Sequence, residues 1–281
     1  MRPAIRRNGG LYPISGILLG VLFALPLTLS PVLSTAGAEA PDLERLLDRL
    51  GEKARAYDLV ALRFVCIEAA RSSERPDKVE RFDYMYVEAE EQRYRPYRQK
   101  HTGRPGRASP ETALEIGFPD SYSWTLMFHR DRQHLFHFKY GGREWFSLRL
   151  SHILEFSASL PFTDGTTIYQ WDGKVWIDEE NFNFLKVEAQ PGNQGERLRQ
   201  QLDAYRQAPR FLAFPVGRRP LGSKYSITFL NEYNKLSLPD QAEYSRFTLD
   251  LEGSEEFMER QVLRYTGYRF FDVDVLQEYL K

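Results

Sequence analysis

The chain has 281 residues, 42% of them hydrophobic and 14% aromatic, with 38 basic residues against 39 acidic. That is enough for a sizeable core in one large domain or two small ones, and the charge balance excludes a general nucleic-acid binder. The single cysteine, Cys66, excludes an internal disulfide framework.

Arg2, Arg6 and Arg7 precede an apolar run from Gly16 to Leu29, and Ala36-Gly37-Ala38 fits the small-x-small rule for cleavage. Residues 1–38 are therefore expected to be a signal peptide, leaving a mature chain that starts at Glu39. An uncleaved membrane anchor is the alternative, although Pro13, Pro26 and Pro31 interrupt the run. Cleavage removes three basic residues and no acid, taking the net charge from −1 to −4. Export predicts a periplasmic or otherwise extracytoplasmic protein. No cysteine directly follows the apolar run, so the chain is not expected to be an N-terminally acylated lipoprotein.

After Pro41, Asp42 is placed to cap a helix whose Leu43, Leu46, Leu47, Leu50, Ala54 and Tyr57 form one apolar stripe. Strand-like runs follow, first Leu59–Ala69 and Val79–Ala89. Cys66 lies in the first of these and reads as a small buried residue rather than a reactive thiol. The segment Arg93–Pro110 is rich in Arg, Pro and Gly and is expected to be a loop. Its Arg93, Arg95, Arg98 and Lys100 form a candidate patch for anionic head groups or an acidic partner, with a solvated loop as the plainer reading. Peripheral membrane contact follows from the first reading.

HLFHFKYGGREWFSLRL is expected to fold as a hairpin turning at Gly141-Gly142. IYQWDGKVWID, Ile168 to Asp178, is expected to do the same at Asp172-Gly173. That turn would set Tyr169, Trp171 and Trp176 on one face and Ile168, Val175 and Ile177 on the other. Both hairpins then have two apolar faces, where an ordinary antiparallel hairpin has one. Beyond a loop from Asp178 to Phe184, LKVEA returns as a strand. Pairing Val175 with Val187 sets Lys174 against Glu188 and aligns Ile177 with Leu185.

Gly192–Arg206 reads as a mostly polar helix with a stripe of Leu198, Leu202 and Tyr205. PRFLAFPVGRRPLG after it is too Pro-rich for regular structure, yet carries Phe211 and Phe214 among other apolar residues, so it must cover something. Three more strands are expected near Lys224–Tyr233, Gln241–Leu251 and Met258–Val273, the last bulged at Gly267. With no internal repeat or low-complexity linker, residues 39–281 read as one domain carrying an insertion at 192–222.

No nucleophile elbow, zinc-protease helix, Walker loop, dinucleotide fingerprint or Cys-x-x-Cys occurs. His134 and His137 would point to opposite faces of a strand, which weakens a metal site there. The acids Asp178-Glu179-Glu180, Asp272 and Asp274 read as solvated turn residues rather than a glycosidase pair. The chain is therefore read as no enzyme, with no cofactor and no metal.

One amphipathic helix followed by an antiparallel series with both faces apolar, behind a signal peptide, resembles the LolA/LolB-like superfamily. The specific part of the resemblance is GKVWIDEENFNFLKVEA, Gly173 to Ala189. It implies an α+β, mainly β fold: a strongly curved, unclosed antiparallel β-barrel capped by one or more amphipathic helices, with a hydrophobic cavity for acyl chains. It implies a non-catalytic carrier or sensor of a lipid or lipoprotein acyl chain, with an envelope membrane protein as a further partner. Leu46, Leu50, Tyr169, Trp171, Trp176, Phe211 and Phe214 are the candidate cavity or lid residues. The alternative is an envelope structural or interaction protein whose barrel is filled by its own side chains.

Overall fold

The computed structural model describes residues 41–61, 63–88, 94–101, 120–161, 168–207 and 219–271. The Asp42 carboxylate accepts the Glu44 N–H at 3.1 Å and caps helix α1 (Leu43–Val60). Leu46, Leu50, Ala54, Tyr57 and Val60 recur on one side of it and are buried, as the stripe requires. The strands are β1 (Phe64–Ser72), β2 (Arg75–Glu88), β3 (Tyr94–Lys100), β4 (Phe136–Phe146), β5 (Arg149–Pro161), β6 (Ile168–Asp178), β7 (Phe184–Pro191), β8 (Leu221–Thr228), β9 (Asn231–Tyr233), β10 (Leu236–Leu238), β11 (Gln241–Leu249) and β12 (Glu255–Phe270). A 3₁₀ helix (Ser121–Leu126) and the short α2 (Arg130–Gln133) lie between β3 and β4, and α3 (Gln194–Gln207) lies between β7 and β8.

Ten strands form one antiparallel sheet in the order β3-β2-β1-β12-β11-β8-β7-β6-β5-β4, while β9 and β10 form a small hairpin. The two edge strands do not pair, so the barrel is unclosed. Its curvature follows from the 3₁₀ helix. Tyr122 lies 5.1 Å from the Tyr86 ring on β2, and Trp124 lies 6.4 Å from the Trp171 ring on β6. Those strands are six steps apart in the sheet. A flat sheet would separate them by about 29 Å at ~4.8 Å per step. Two residues within a single turn of one short helix touch both, so the sheet wraps around it. The expected fold is the observed one.

The sheet's inner face, α1 and the 3₁₀ helix share one core that runs from Phe82, Tyr84 and Tyr86 on β2 to Phe136 on β4. A small second cluster of Ile153, Trp176 and Leu185, with Phe146 against it, lies on the other face.

Both expected glycine turns are corrected by the sheet. Asp172 and Gly173 lie inside β6, paired with Ser157 and Phe156 on one side and with Gln190 and Ala189 on the other. Glycine is needed there for close approach rather than for a turn: a Cβ would meet the Glu188 carbonyl at 2.2 Å and the Phe156 ring at 2.4 Å. Gly141 is likewise a bulge within β4, and the chain turns at Ser147-Leu148 instead. Because β6 is continuous, Trp171 and Trp176 fall on opposite faces, and Trp171 joins Val175 and Ile177 in the main core. Lys174 does face Glu188 and Val175 faces Val187, but a bulge after Trp176 moves Ile177 onto Phe184 instead of Leu185. The expected bulge at Gly267 is present, with φ of 64° and a register break opposite Val65 and Ile67. Within the segment Arg93–Pro110, Tyr94–Lys100 is a strand rather than a loop, and residues 102–110 lie outside the described residues.

Candidate functional site

The inner face is where the candidate residues converge, and aromatic rings dominate it. Trp124 packs against Phe156 at 5.6 Å, Trp171 at 6.4 Å and Tyr225 at 6.1 Å between ring centroids. Phe128, just after the 3₁₀ helix, stacks on Phe138 at 4.9 Å and touches Phe184 at 5.5 Å. Leu46 and Leu50 of α1 belong to the same cluster. Tyr57 donates its hydroxyl to the Ser237 carbonyl at 2.8 Å, tying α1 to β10, and burial pushes its phenol well above the usual range. Thus a six-residue 3₁₀ helix and one face of α1 cover an aromatic wall supplied by much of the sheet.

Against this apolar wall sits a buried polar cluster that sequence reasoning missed. Arg98 on β3 points inward and is only 7% exposed, while Glu68 on β1 is 0% exposed. The guanidinium holds both Glu68 oxygens, at 2.6 and 2.9 Å, in the bidentate geometry that makes such pairs strong. It also reaches Asp120 at 3.1 Å. The other Asp120 oxygen accepts the hydroxyls of Tyr84 and Tyr86 and the Tyr122 N–H. Ser121 continues the network to the Tyr225 and Tyr265 hydroxyls at 2.9 and 2.8 Å.

Burial opposes the Arg98 charge, but Glu68 and then Asp120 outweigh it and hold the guanidinium well above its ordinary value. Burial, with Asp120 behind it, pushes the Tyr84 and Tyr86 phenols far up, so both stay protonated donors. Asp120 also caps the 3₁₀ helix, and one carboxylate thereby joins that helix to β2 and β3. A signal for the cluster was present: Glu68 shares a strand face with Phe64 and Ala70, and a buried acid requires a cationic or donor partner.

The remaining candidates are distributed differently. Trp176 is buried on the outer face, donates its indole N–H to Glu144 and lies 4.8 Å beneath the Lys186 ammonium. It is therefore apart from Trp171, Leu46 and Leu50. The Tyr169 backbone pairs with Leu160 in the sheet, and its side chain lies outside the described residues, as do Arg93, Phe211 and Phe214. Arg98 leaves the expected surface patch for the interior; Lys100 is exposed at the end of β3, and the Arg95 side chain is outside the description.

Other expected sites divide similarly. Cys66 is buried, and burial raises its thiol well above the ordinary value. Asp178 is buried and paired with Arg149 at 3.3 Å, unlike the solvated acid expected there. Asp272 and Asp274 lie outside the described residues. Among the described residues no group of three or more His, Cys, Asp or Glu is placed to hold a metal ion. A depression of about 540 Å³ on the sheet is lined by Phe156, Ala189, Tyr225 and Phe257 together with charged side chains, including Glu155, Lys174, Glu188, Lys224 and Glu243. Within that lining Glu155 pairs with Lys174, and Glu243 pairs with Arg260 outside it.

No family model and no curated protein matches the sequence. Solved structures are similar in fold. A LolA superfamily protein from Nitrosomonas europaea is 14% identical, with a TM-score of 0.35, over 83% of this chain and 94% of that one. A domain described as an outer membrane lipoprotein-sorting protein, from Vibrio parahaemolyticus, is 13% identical with a TM-score of 0.39, over 85% and 100%. A DUF1329 family protein from Desulfovibrio piger is 11% identical with a TM-score of 0.41, over 85% and 96%.

Proposed function

We propose that this is an exported, non-catalytic carrier or sensor that takes a hydrophobic ligand, a lipid or the acyl chain of a lipoprotein, against the inner face of its open barrel. One observation supports this above the others. An aromatic wall spanning most of a ten-stranded sheet is covered by one side of α1 and a six-residue 3₁₀ helix. Short 3₁₀ segments have poorer hydrogen-bond geometry than α-helices. An acyl chain that replaced Tyr122 and Trp124 would exchange one apolar cover for another. In this reading residues 1–38 are a cleaved signal peptide, the mature protein works in the periplasm or an equivalent compartment, and an envelope membrane protein receives or presents the ligand.

A second reading is favoured by a different observation. Leu46, Leu50, Trp124 and Trp171 are already buried by protein. A barrel filled by its own side chains would be an interaction module of the envelope with no ligand.

One experiment separates the readings. The precursor is expressed in a double-membraned bacterium, and the exported form is purified without detergent and weighed in native and denaturing mass spectra. A mass beginning at Glu39, with lipid released on denaturation or palmitate taken up on addition, supports the carrier. A bare chain that binds no palmitate supports the self-filled module. Retention of residues 1–38 replaces the soluble carrier with a tethered domain.

A further inference from the structure

The ten-stranded sheet ends in two edge strands, β3 and β4, and the sequence treats them differently. The β3 edge is guarded, because Pro96 stands within the strand and removes a donor. β4 contains no proline. Its stretch before the Gly141 bulge, Phe136–Tyr140, pairs with Ala158 to Leu154 of β5 without a break. The Ser159 N–H donates to the Leu135 carbonyl at 3.4 Å, so those two residues face each other as a bonded pair. Bonded and unbonded pairs alternate along an antiparallel ladder. His137 and Lys139 therefore direct their backbone groups to β5. The N–H and C=O groups of Phe136, Phe138 and Tyr140 point to the open edge.

Side chains along this edge alternate in kind. Phe136, Phe138 and Tyr140 lie on the inner aromatic wall, where Phe138 and Tyr140 are only half-buried. His137 and Lys139 are exposed on the other face. The approach to the strand is cationic too, with Arg130 and Arg132 of α2 against the single acid Asp131. Among the described residues no ion pair engages Arg130, Arg132 or Lys139. The neighbouring acids are occupied: Glu155 holds Lys174 at 3.3 Å, Glu144 accepts the Trp176 indole N–H, and Asp131 lies 3.5 Å from His129.

We propose that β4 accepts an added strand from an acidic partner, an extended peptide in which acidic and apolar residues alternate. Its main chain would pair with the free groups of Phe136, Phe138 and Tyr140. Its apolar residues would extend the aromatic wall, and its acids would stand beside His137 and Lys139. Two features select this occupant. A membrane surface can meet cations, but it cannot satisfy a row of alternating donors and acceptors. A second copy pairing antiparallel about Phe138 would set Lys139 against His137 and bring two cationic approaches together. An edge lysine ordinarily prevents such self-pairing. The inference goes beyond the carrier reading and does not depend on whether the barrel holds a ligand.

The exported full chain is titrated against a short, capped, fluorescent peptide of alternating glutamate and valine, and binding is followed by anisotropy. Hydrogen exchange in NMR spectra then reads individual amides. Those of Phe136, Phe138 and Tyr140 should exchange fast in the free chain and become protected by the peptide. Those of His137 and Lys139, bonded to β5, should be protected in both states. Lys139→Glu should weaken binding roughly tenfold, with the thermal midpoint unaltered because the side chain is exposed. A peptide with lysine in place of glutamate should bind the wild type far more weakly.

Failure of the acidic peptide to bind overturns the proposal, as does equal binding of the lysine peptide. Protection of the Phe136, Phe138 and Tyr140 amides in the free chain, or binding without new protection there, also overturns it. Partitioning onto phosphatidylglycerol vesicles without peptide binding would replace the peptide with a membrane. Concentration-dependent dimerisation that protects the same amides would replace it with a second copy.

Discussion

Arg98 offers the sharpest test, because surface and interior placements predict different magnitudes. Its guanidinium holds Glu68 through two bonds and Asp120 through a third, with 7% and 0% exposure for Arg98 and Glu68. Replacing it by methionine keeps much of the volume and strands two carboxylates among tyrosine rings. Breaking a buried pair from one side costs about 3–5 kcal/mol, whereas an exposed ion pair contributes only about 0–1 kcal/mol. For a chain of this size each kcal/mol moves the thermal midpoint by roughly 2–4 °C. Arg98→Met should therefore lower it by roughly 6–20 °C. Urea denaturation followed by far-ultraviolet circular dichroism gives the free energy directly, with midpoint and slope separated.

Adding Glu68→Gln should restore part of the loss, with a coupling energy of about 1–3 kcal/mol across the double-mutant cycle. A loss below about 1 kcal/mol for Arg98→Met would place the arginine in solvent. The internal clasp between β1, β3 and the 3₁₀ helix would then be refuted.

Other predictions test different parts of the structure. Gly173→Asn would be tolerated in a tight turn, but in the continuous β6 its Cβ meets the Glu188 carbonyl; calorimetry should show a loss of at least about 1–3 kcal/mol, and an unchanged midpoint would reinstate the turn. Trp171→Ala should cost about 3–5 kcal/mol and also change palmitate uptake if the inner face holds the ligand. Trp176→Ala, on the outer face, should leave uptake as it was, and equal effects on uptake would contradict the separation of faces.

Lys53 donates to the Lys235 carbonyl, and burial lowers its ammonium to about 8 despite the raising influence of Asp178. Above that pH the folded state has released a proton that the unfolded chain keeps until about 10.5. The unfolded state therefore binds more protons in this window, and the Lys53 contribution makes stability rise with pH between about 8 and 10.5. Lys53→Met should remove that contribution in urea titrations across the window, and an unaltered pH slope would count against the burial of Lys53.

The elements that local pattern dictates were legible in the sequence. The α1 stripe, its Asp42 cap, the Lys174–Glu188 alignment and the Gly267 bulge all rest on spacing along one or two neighbouring strands. The alternation of Tyr225, Ile227 and Phe229 likewise places all three in the core. What misled was glycine used for close approach. Asp172-Gly173 carries a turn signature, yet the Phe156 ring from β5 occupies the space above Gly173. The true turn at Ser147-Leu148 carries no such signature. The polar cluster was illegible for another reason: Glu68, Arg98 and Asp120 meet only after the sheet wraps, and an arginine in a Pro- and Gly-rich stretch reads as solvated until a strand turns it inward.

The strand order has a consequence for when this protein can fold. β1, β2 and β3 form one meander, and β8, β7, β6, β5 and β4 form an uninterrupted run on the other side. The bridge between them passes through β12, which pairs with β1 and β11 and brings Phe64 opposite Phe270. Emerging from a ribosome or a secretion channel in chain order, the two halves can each acquire local pairs, but their seam awaits Glu255–Phe270. Such distant pairing makes closure a late and comparatively slow event. Until then the inner edges of both halves are open to wrong partners. Premature release before residue 255 would therefore yield two unsealed sheets rather than a shortened barrel.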